Sequence, residues 1–231
     1  MSTTTYSDDV AQFLKPTYSV DSDNPEVIAW AQERAARQEE DSDIDVAVRL
    51  YYAVRDEFMY DPYDFTLDHE GLSASGCLAR GKGFCVPKSA LLAACCRAVG
   101  IPARVGYADV LNHLTSKRLS EAMGTDLFVY HGYAELFLDG KWVKATPVFN
   151  LSLCEKARVL PLEFDGRNDS VFHPHNADGK KHMEYVHDHG PFADVPIQEI
   201  ADAFRSHYPN LTGGIAAKGD FEADAAANNN K

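Results

Sequence analysis

Apolar residues at the three- and four-residue spacing of a helix face occur in two stretches near the start of the chain. The first begins at Pro25, behind the capping side chain of Asn24, and runs to about residue 38. The second follows a cap at Asp41-Ser42 and covers residues 44–58. Both stretches predict amphipathic helices that pack on a common core.

A third helix is predicted from a run of small and apolar residues in the middle of the chain. The segment GKGFCVPKSA, residues 81–90, places Cys85 where a glycine-rich loop becomes a helix. Gly100 and Pro102 end the apolar run that follows. Residues 61–84 lead to this helix, and their many Asp, Gly and Ser residues predict a loop.

Alternating apolar and polar residues predict three strands after this helix, at residues 103–110, 128–138 and 141–148. Asp139-Gly140 is a strong signal for a two-residue hairpin turn between the last two strands. A turn there pairs Tyr133 with Thr146 and His131 with Val148. Because alternate residues share a face, these four side chains are expected to point the same way.

The rest of the chain carries weaker patterns. At the N-terminus, residues 1–20 are interpreted as an extended lead-in or edge strand. In the middle of the chain we expect a polar loop at 111–126 and a short helix or turn at 153–159. Towards the C-terminus we expect a helix from Asp194 or Pro196 to about 206 and a disordered tail at 213–231. We therefore expect one α+β domain over residues 1–212, with its core at about 43–150 and a C-terminal extension at 151–212.

Composition and charge narrow the class of protein. The chain has 231 residues, 45% of them hydrophobic, which is enough for a substantial core. Its formal net charge of −13 argues against nonspecific binding to nucleic acid or to anionic membranes. The sequence has no apolar export signal and no run near the roughly 18 apolar residues of a spanning helix. The odd count of five cysteines favours reduced thiols, and so a cytosolic protein.

Cys85 is the first candidate for chemistry. A cysteine in the first turn of a helix lies at the positive end of the helix dipole, which favours the thiolate. A buried cysteine is more often a packing residue, so the interpretation depends on partners. His131 follows 46 residues later, and Thr146 another 15 residues later. A thiol, a histidine that takes its proton and a polar group that orients the histidine are what nucleophilic acyl transfer needs.

At these residues the sequence resembles the transglutaminase-like superfamily. The resemblance covers about residues 75–150 and rests on GKGFCVPKSALLAACCRAVGIPARVGYADV, on VYHGYAELFLDGKWVKA and on the turn after Trp142. It implies a papain-like core, in which a helix carrying Cys85 packs on an antiparallel sheet carrying His131. It also implies acyl transfer on peptide, protein or small amide substrates without a cofactor.

The sequence departs from the family at the third catalytic position. The family usually has Trp-Val-x-x-Asp-Pro there, whereas this chain has Thr146 in place of the aspartate. A threonine can accept the imidazole N–H, but it cannot stabilise an imidazolium as a carboxylate does. Asn150 would share the strand face, and Asp165 could fold back to supply a carboxylate. Thr146, Asn150 and Asp165 therefore all remain candidates for orienting His131.

The oxyanion hole is expected to use the backbone N–H of Cys85 and a donor from an upstream loop, with Tyr60 and Tyr63 as candidates. Cys95 and Cys96 are interpreted as packing residues in the helix. Cys77 is expected to be a free thiol rather than a partner of Cys85, and Arg104 a surface or ion-pairing residue.

Two other functions remain open. A binding module that keeps the fold but has lost its catalytic acid is the main alternative, and Thr146 favours it. The histidine-rich stretch raises the question of a metal, because imidazole is a common zinc ligand. Its members are His173, His175, His182, His187 and His189. No established metal motif accompanies them, so we interpret them as loop histidines and predict no metal.

Overall fold

The computed structural model describes residues 6–112, 116–172, 179, 182–212 and 219–228. Its N-terminal part is helical, with α1 at Asp8–Ala11, a 3-10 turn at Gln12–Leu14, α2 at Pro25–Ala35 and α3 at Asp43–Glu57. As predicted, Asn24 caps α2, and Ser42 forms a capping box with Asp45 at the start of α3. The predicted edge strand is wrong within residues 6–20. Phe13 in this segment packs edge-on against Trp142, at 5.2 Å between ring centroids.

The loop prediction for residues 61–84 is wrong in part. Strand β1 at Met59–Tyr60 precedes this segment, which contains helices α4 at His69–Leu72 and α5 at Ala74–Arg80, and strand β2 at Lys82–Gly83. The two helices begin at side-chain caps: Asp68 accepts the N–H of Gly71 at 2.8 Å, and Ser73 accepts that of Gly76 at 3.1 Å. Helices of one or two turns are too short to show an apolar period, so the sequence pattern does not predict them.

Helix α6, Cys85–Ala98, lies at the centre of the molecule, and its residues from Cys85 to Arg97 are all buried. It packs against α2, α3 and α5 on one side and the sheet on the other. Lys88, buried in this helix, donates from Nζ to the carbonyl oxygens of Arg55 and Phe58. This buried amine, whose pKa burial lowers to about 7, ties the C-terminal end of α3 to the helix that carries Cys85.

The sheet is built on strand β3 at Ala103–Asn112, which is followed by helix α7 at Lys117–Met123, strand β4 at Leu127–Leu138 and strand β5 at Lys141–Ala145. The predicted hairpin register is confirmed from Leu138↔Lys141 to Ala134↔Ala145. The predicted pairs of Tyr133 with Thr146 and His131 with Val148 lie beyond the end of β5. The carbonyl of Lys144 accepts the N–H of Ser170 instead, and Pro147 has no N–H to donate.

The C-terminal part adds helix α8 at Leu151–Ala157, strand β6 at Met183–Phe192, and helices α9 at Ile197–His207, α10 at Pro209–Thr212 and α11 at Phe221–Asn228. Strand β6 pairs with β3, which gives an antiparallel sheet in the order β5-β4-β3-β6. The loop prediction is therefore wrong for His187 and His189. The predicted disordered tail is wrong for residues 221–228, because the buried Glu222 accepts hydrogen bonds from Asn150, Ser152 and Lys156.

The helices and the antiparallel sheet give the α+β class that the sequence predicted. Among the residues that the structure describes, no helix combines the length and apolar character needed to span a membrane.

Candidate active site

Cys85 is the first residue of α6, and its N-cap Phe84 has extended backbone and gives no side-chain cap. Only 6% of Cys85 is exposed. Burial raises the pKa of the thiol to about 11, although hydrogen bonds from backbone N–H groups of Gly132 and Val86 act in the opposite direction. The expected lowering of the thiol pKa is therefore wrong for this structure, since desolvation outweighs the helix terminus.

His131 lies in β4 and is 2% exposed. Burial, with a smaller contribution from nearby His182, lowers the pKa of its imidazole to about 3. The ring of Phe172 packs against it at 4.8 Å between centroids. Neither ring nitrogen has a hydrogen-bond partner among the described residues. At neutral pH the imidazole is thus an uncharged base whose polar atoms are unused.

A close approach at Gly132 brings strand β4 against the first turn of α6. A Cβ atom at this position would lie 3.0 Å from the carbonyl oxygen of Cys85 and 3.1 Å from Cα of Val86. A side chain here would force the backbone of Cys85 and Val86 to shift by a few tenths of an ångström, so glycine favours this close approach. Cys85 and His131 line the same cavity, which has a volume of about 40 Å³. The structure thus brings the two leading candidates to one place.

The three candidates for orienting His131 have their polar groups engaged elsewhere. The hydroxyl of Thr146 donates to the carbonyl of Ser170 at 2.8 Å. Asn150 accepts the N–H of Tyr60 at 3.0 Å and donates to Ser152 and Glu222. Neither therefore forms the hydrogen bond to His131 that the sequence suggested.

Asp165 is the third candidate, and its placement as a catalytic acid is wrong. Its carboxylate lies in an exposed turn, where it accepts the backbone N–H groups of Arg167 and Asn168, each at 2.8 Å. These hydrogen bonds and one from the Asn168 side chain lower the pKa of Asp165 to about 2. The carboxylate stabilises the turn and does not fold back to His131.

Tyr60 and Tyr63, the candidate oxyanion donors, differ in position. Tyr60 lines the cavity, and burial together with the nearby Cys85 raises its pKa well above the usual value. Tyr63 donates its hydroxyl proton to Asp224 at 2.9 Å, so that proton is not available to a substrate. Tyr60 therefore stays a candidate, whereas Tyr63 does not.

Sequence reasoning missed a bulge beside His131. The backbone of Tyr130 has φ +52°, which is rare for a residue with a side chain. Asp109 holds this bend, because its Oδ1 accepts the Tyr130 N–H at 3.0 Å and lies 2.8 Å from Nε2 of His189. The Tyr130 ring stacks on His189 with 4.1 Å between centroids. The histidine-rich stretch was the only signal in the sequence, and it gave no indication of Asp109.

The other cysteines are free buried thiols. Cys77, Cys95 and Cys96 are 0% exposed and Cys154 is 1% exposed. Burial raises the pKa of Cys77 and of Cys154 to about 12 each. The packing role of Cys95 and Cys96 and the free thiol of Cys77 are confirmed.

Arg104 forms an ion pair with Glu135 at 2.6 Å and lies over the ring of Trp142, so its predicted ion-pairing role is confirmed. In the part of the chain that the structure describes, no group of three or more His, Cys, Asp or Glu side chains could hold a metal ion. His173 and His175 lie outside the described residues.

The sequence matches the family model of the transglutaminase-like superfamily over residues 29–147, just over half of the chain. The protein therefore belongs to this superfamily, and the helix and strand that carry Cys85 and His131 lie within the matched region. The helix packed on an antiparallel sheet is its papain-like core, a fold that supports cysteine-based catalysis. No curated protein matches the sequence.

The solved structures that are similar to this chain include a protein described as a protease and an acetyltransferase. A putative cysteine protease from Cytophaga hutchinsonii is 16% identical with a TM-score of 0.49, and the match covers 82% of this chain and 57% of that protein. Arylamine N-acetyltransferase from Salmonella typhimurium is 13% identical with a TM-score of 0.48, over 79% of this chain and 70% of the enzyme. This chain thus spans little more than half the length of the Cytophaga protein.

Proposed function

We propose that this protein is a cysteine-dependent acyl transferase that acts on amide bonds. The observation that supports this most directly is the placement of Cys85, at the start of α6, and His131, from the sheet, on the lining of one cavity. The proposed nucleophile is on α6 and the proposed base is on β4. The close contact at Gly132 packs these two elements together, which favours a fixed position of the thiol relative to the imidazole.

In the proposed reaction the neutral imidazole of His131 accepts the thiol proton as Sγ of Cys85 attacks the substrate carbonyl. The C–N bond then breaks, and the imidazolium returns the proton to the leaving amine. Water attacks the thioester in the second half of the reaction and regenerates the thiol. The backbone N–H groups of Cys85 and Val86 at the uncapped helix start are the proposed donors to the oxyanion.

The raised thiol pKa and the lowered imidazole pKa fit a pair that is uncharged until a substrate enters. The thiol proton then moves to the imidazole as Sγ attacks the substrate. No thiolate-imidazolium pair is present before the substrate enters. This order removes the need for a carboxylate that would stabilise a permanent imidazolium.

The test is amidase activity on N-acetyl amino-acid 4-nitroanilides, together with iodoacetamide labelling at pH 7 followed by peptide mass analysis. Cys85→Ala is expected to lower the amidase rate at least about a thousandfold and to remove the rapidly labelled peptide. Cys154→Ala changes another buried thiol and is the matched control, which is expected to keep both signals. Activity and labelling that persist in Cys85→Ala would rule out Cys85 as the nucleophile.

A binding module is the second candidate, and the specific observation in its favour is that the Thr146 hydroxyl donates to Ser170 and not to His131. Measuring how many acetyl groups are added to the protein distinguishes the two functions. Incubation with 4-nitrophenyl acetate at pH 7 should add one acetyl group to Cys85 in an enzyme, with release of nitrophenol. An acid-quenched protein with no added acetyl group, together with no release of 4-nitrophenol above that in the Cys85→Ala variant, would favour the binding module.

A further inference from the structure

The cavity beside Cys85 is lined mainly by apolar side chains. Apart from Cys85, His131 and two tyrosines, the described side chains that line it are apolar, and none of these carries a charge. The main contributors are Phe65, Phe84, Leu119, Met123, Phe204 and Leu211. We infer that this cavity is an acyl-side specificity pocket that accepts a compact, uncharged aliphatic side chain; this inference rests on the proposed function.

The hydroxyl groups at the cavity do not change its apolar character. Tyr208 donates its hydroxyl proton to the carbonyl of Leu127 at 2.9 Å and accepts the N–H of Val129 at 2.6 Å. Both bonds hold α9 and its following turn against β4, so that proton is not available to a ligand. Only Tyr60 keeps a hydroxyl that could turn toward a substrate, and it lies on the same cavity as the reacting thiol.

A charged substrate side chain would lose its hydration in this pocket without gaining an opposite charge. Such desolvation is strongly unfavourable for a carboxylate or an ammonium group. An aliphatic group has no such penalty, and it gains by leaving water. The lining is therefore expected to bind acidic and basic substrate side chains more weakly than aliphatic ones.

The size of the cavity selects among apolar groups. Its volume of about 40 Å³ corresponds to roughly three water positions, taking about 10–15 Å³ for each. This fits a side chain the size of valine or leucine, whereas an indole ring exceeds that volume and would extend beyond it toward the open side of the cavity. The wall is braced by aromatic packing, since Phe84 lies 5.4 Å from Phe65 and 6.1 Å from Phe204 between ring centroids.

Part of this wall comes from outside the region that matches the family. Phe204 is in α9 and Leu211 in α10, both beyond residue 147. The C-terminal extension thus closes the pocket over a thiol and imidazole that the matched region supplies. The selectivity is therefore expected to be a property of this chain rather than of the shared core.

The experiment measures second-order rate constants for modification of Cys85 by N-acetyl-aminoacyl chloromethyl ketones. In this reaction Sγ bonds to the methylene carbon, chloride leaves and His131 takes the thiol proton. The aminoacyl groups are Leu, Gly, Asp and Trp, and each rate is divided by that with glutathione to remove intrinsic reactivity. We expect Leu to exceed Gly by at least about tenfold, and Asp and Trp to react more slowly than Leu by a similar factor or more.

Met123→Lys tests whether the lining causes the preference, because Met123 borders the cavity and a lysine would place a cation there. In this variant the Asp reagent is expected to gain at least about tenfold relative to Leu. Leu151→Lys is the matched control, since Leu151 is 42% exposed on α8 and is not among the lining residues. The control is expected to keep the native order of rates.

The possible failures are distinct. If Cys85 reacts rapidly with iodoacetamide but Leu, Gly and Asp reagents react equally, the pocket assignment is wrong and the proposed function is unaffected. If Cys85 is no more reactive with iodoacetamide than the buried Cys154, the proposed function fails, and the assignment of an acyl-side pocket fails with it. Unchanged selectivity in a folded Met123→Lys protein would also overturn the assignment.

Discussion

His131 places two polar ring atoms in the interior without a hydrogen-bond partner among the described residues. A buried polar group in this state destabilises a protein by about 1–3 kcal/mol. The proposed reaction explains why such a group is kept, because the proton acceptor must stay neutral and unoccupied until the thiol uses it. The chain thus carries a local loss of stability at the residue that is proposed as the base.

His131→Leu is accordingly expected to abolish amidase activity while leaving stability unchanged or raising it by about 1 kcal/mol at pH 7. Leucine has a similar volume and no polar atom to leave unpaired. Urea unfolding followed by circular dichroism measures the difference. A loss of more than about 2 kcal/mol would mean that the imidazole stabilises the fold, contrary to this account.

The same variant gives a pH signature. The pKa of His131 is about 3 in the folded protein and about 6.5 in an unfolded chain. Between these values the unfolded chain binds a proton that the folded protein does not. The ionisation of His131 therefore does not lower the free energy of unfolding above about pH 6.5. Below that pH it lowers this free energy by up to about 1.4 kcal/mol per pH unit. The slope of unfolding free energy against pH between 6 and 4 should be smaller in His131→Leu.

At this scale the sequence could predict which residues meet but not their ionisation. Cys85 and His131 are recognisable from a helix start, a strand and a family motif. Their pKa values depend on desolvation by residues far apart in sequence, such as Phe172 and His182 around the imidazole. The partner of the imidazole was predicted wrongly for the same reason, because the Thr146 hydroxyl is engaged by Ser170, 24 residues away.

Among the elements, the bulge at Asp109 has the most direct bearing on the site. Strand β3 shifts register against both of its neighbours near this residue. The Asp109 carboxylate satisfies the N–H of Tyr130, whose left-handed backbone precedes His131 directly. The direction in which β4 presents His131 is therefore set by a side chain on the adjacent strand.

Asp109→Ala is expected to lower stability by about 1–3 kcal/mol, because the Tyr130 N–H loses its acceptor at a strained residue. It should also slow the reaction of Cys85 with 4-nitrophenyl acetate. Asp109→Asn keeps an oxygen acceptor in the same place and is the matched variant, expected to retain most of both properties. Equal effects of the Ala and Asn variants would indicate that the charge facing His189, and not the bond to Tyr130, is what matters.

The elements that the sequence predicted well are those with local determinants. The cap at Asn24, the capping box at Ser42 and the turn at Asp139-Gly140 act within a few residues. Strand β6 was not predicted, because its polar residues form a strand only through pairing with β3, more than 70 residues away. Such pairing is decided by tertiary context rather than by propensity.

At the scale of the whole molecule, Asp194 joins the segment between β6 and α9 to the N-terminal segment. One of its carboxylate oxygens accepts the Thr17 hydroxyl at 3.0 Å and the backbone N–H groups of Ser19 and Val20 at 3.0 and 3.1 Å. Ser19 and Val20 are fully buried, so these N–H groups have no access to water. One side chain between β6 and α9 therefore binds three groups of the N-terminal segment, and Arg97 adds a bond to the carbonyl of Lys15.

Asp194→Ala is expected to destabilise the protein by about 2–4 kcal/mol, since it leaves two buried backbone donors unpaired. The midpoint of thermal unfolding and urea unfolding both measure this loss. Asp202→Ala removes an exposed carboxylate on α9 and is the control, expected to change stability by less than about 0.5 kcal/mol. A similar small change in Asp194→Ala would show that the N-terminal segment is held by other contacts.

The C-terminal helix illustrates what could not be predicted at this scale. Composition alone favours disorder for the last residues, because they are small and polar. Glu222 nevertheless binds Asn150, Ser152 and Lys156 on α8, and Phe221 packs against Tyr60 at 5.4 Å between ring centroids. The order of this segment comes from partners about 70 residues earlier or more, which no local pattern reveals.

The distribution of the five thiols has a practical consequence. Cys85 lines a cavity, whereas the other four are sealed within the core with exposed fractions of 0–1%. A small thiol reagent applied to the native protein would therefore modify one cysteine, and each further modification would record an opening of the core. Counting the added groups by mass spectrometry would therefore measure local and global unfolding without denaturant or an introduced probe. The four buried cysteines would serve as natural probes of conformational opening.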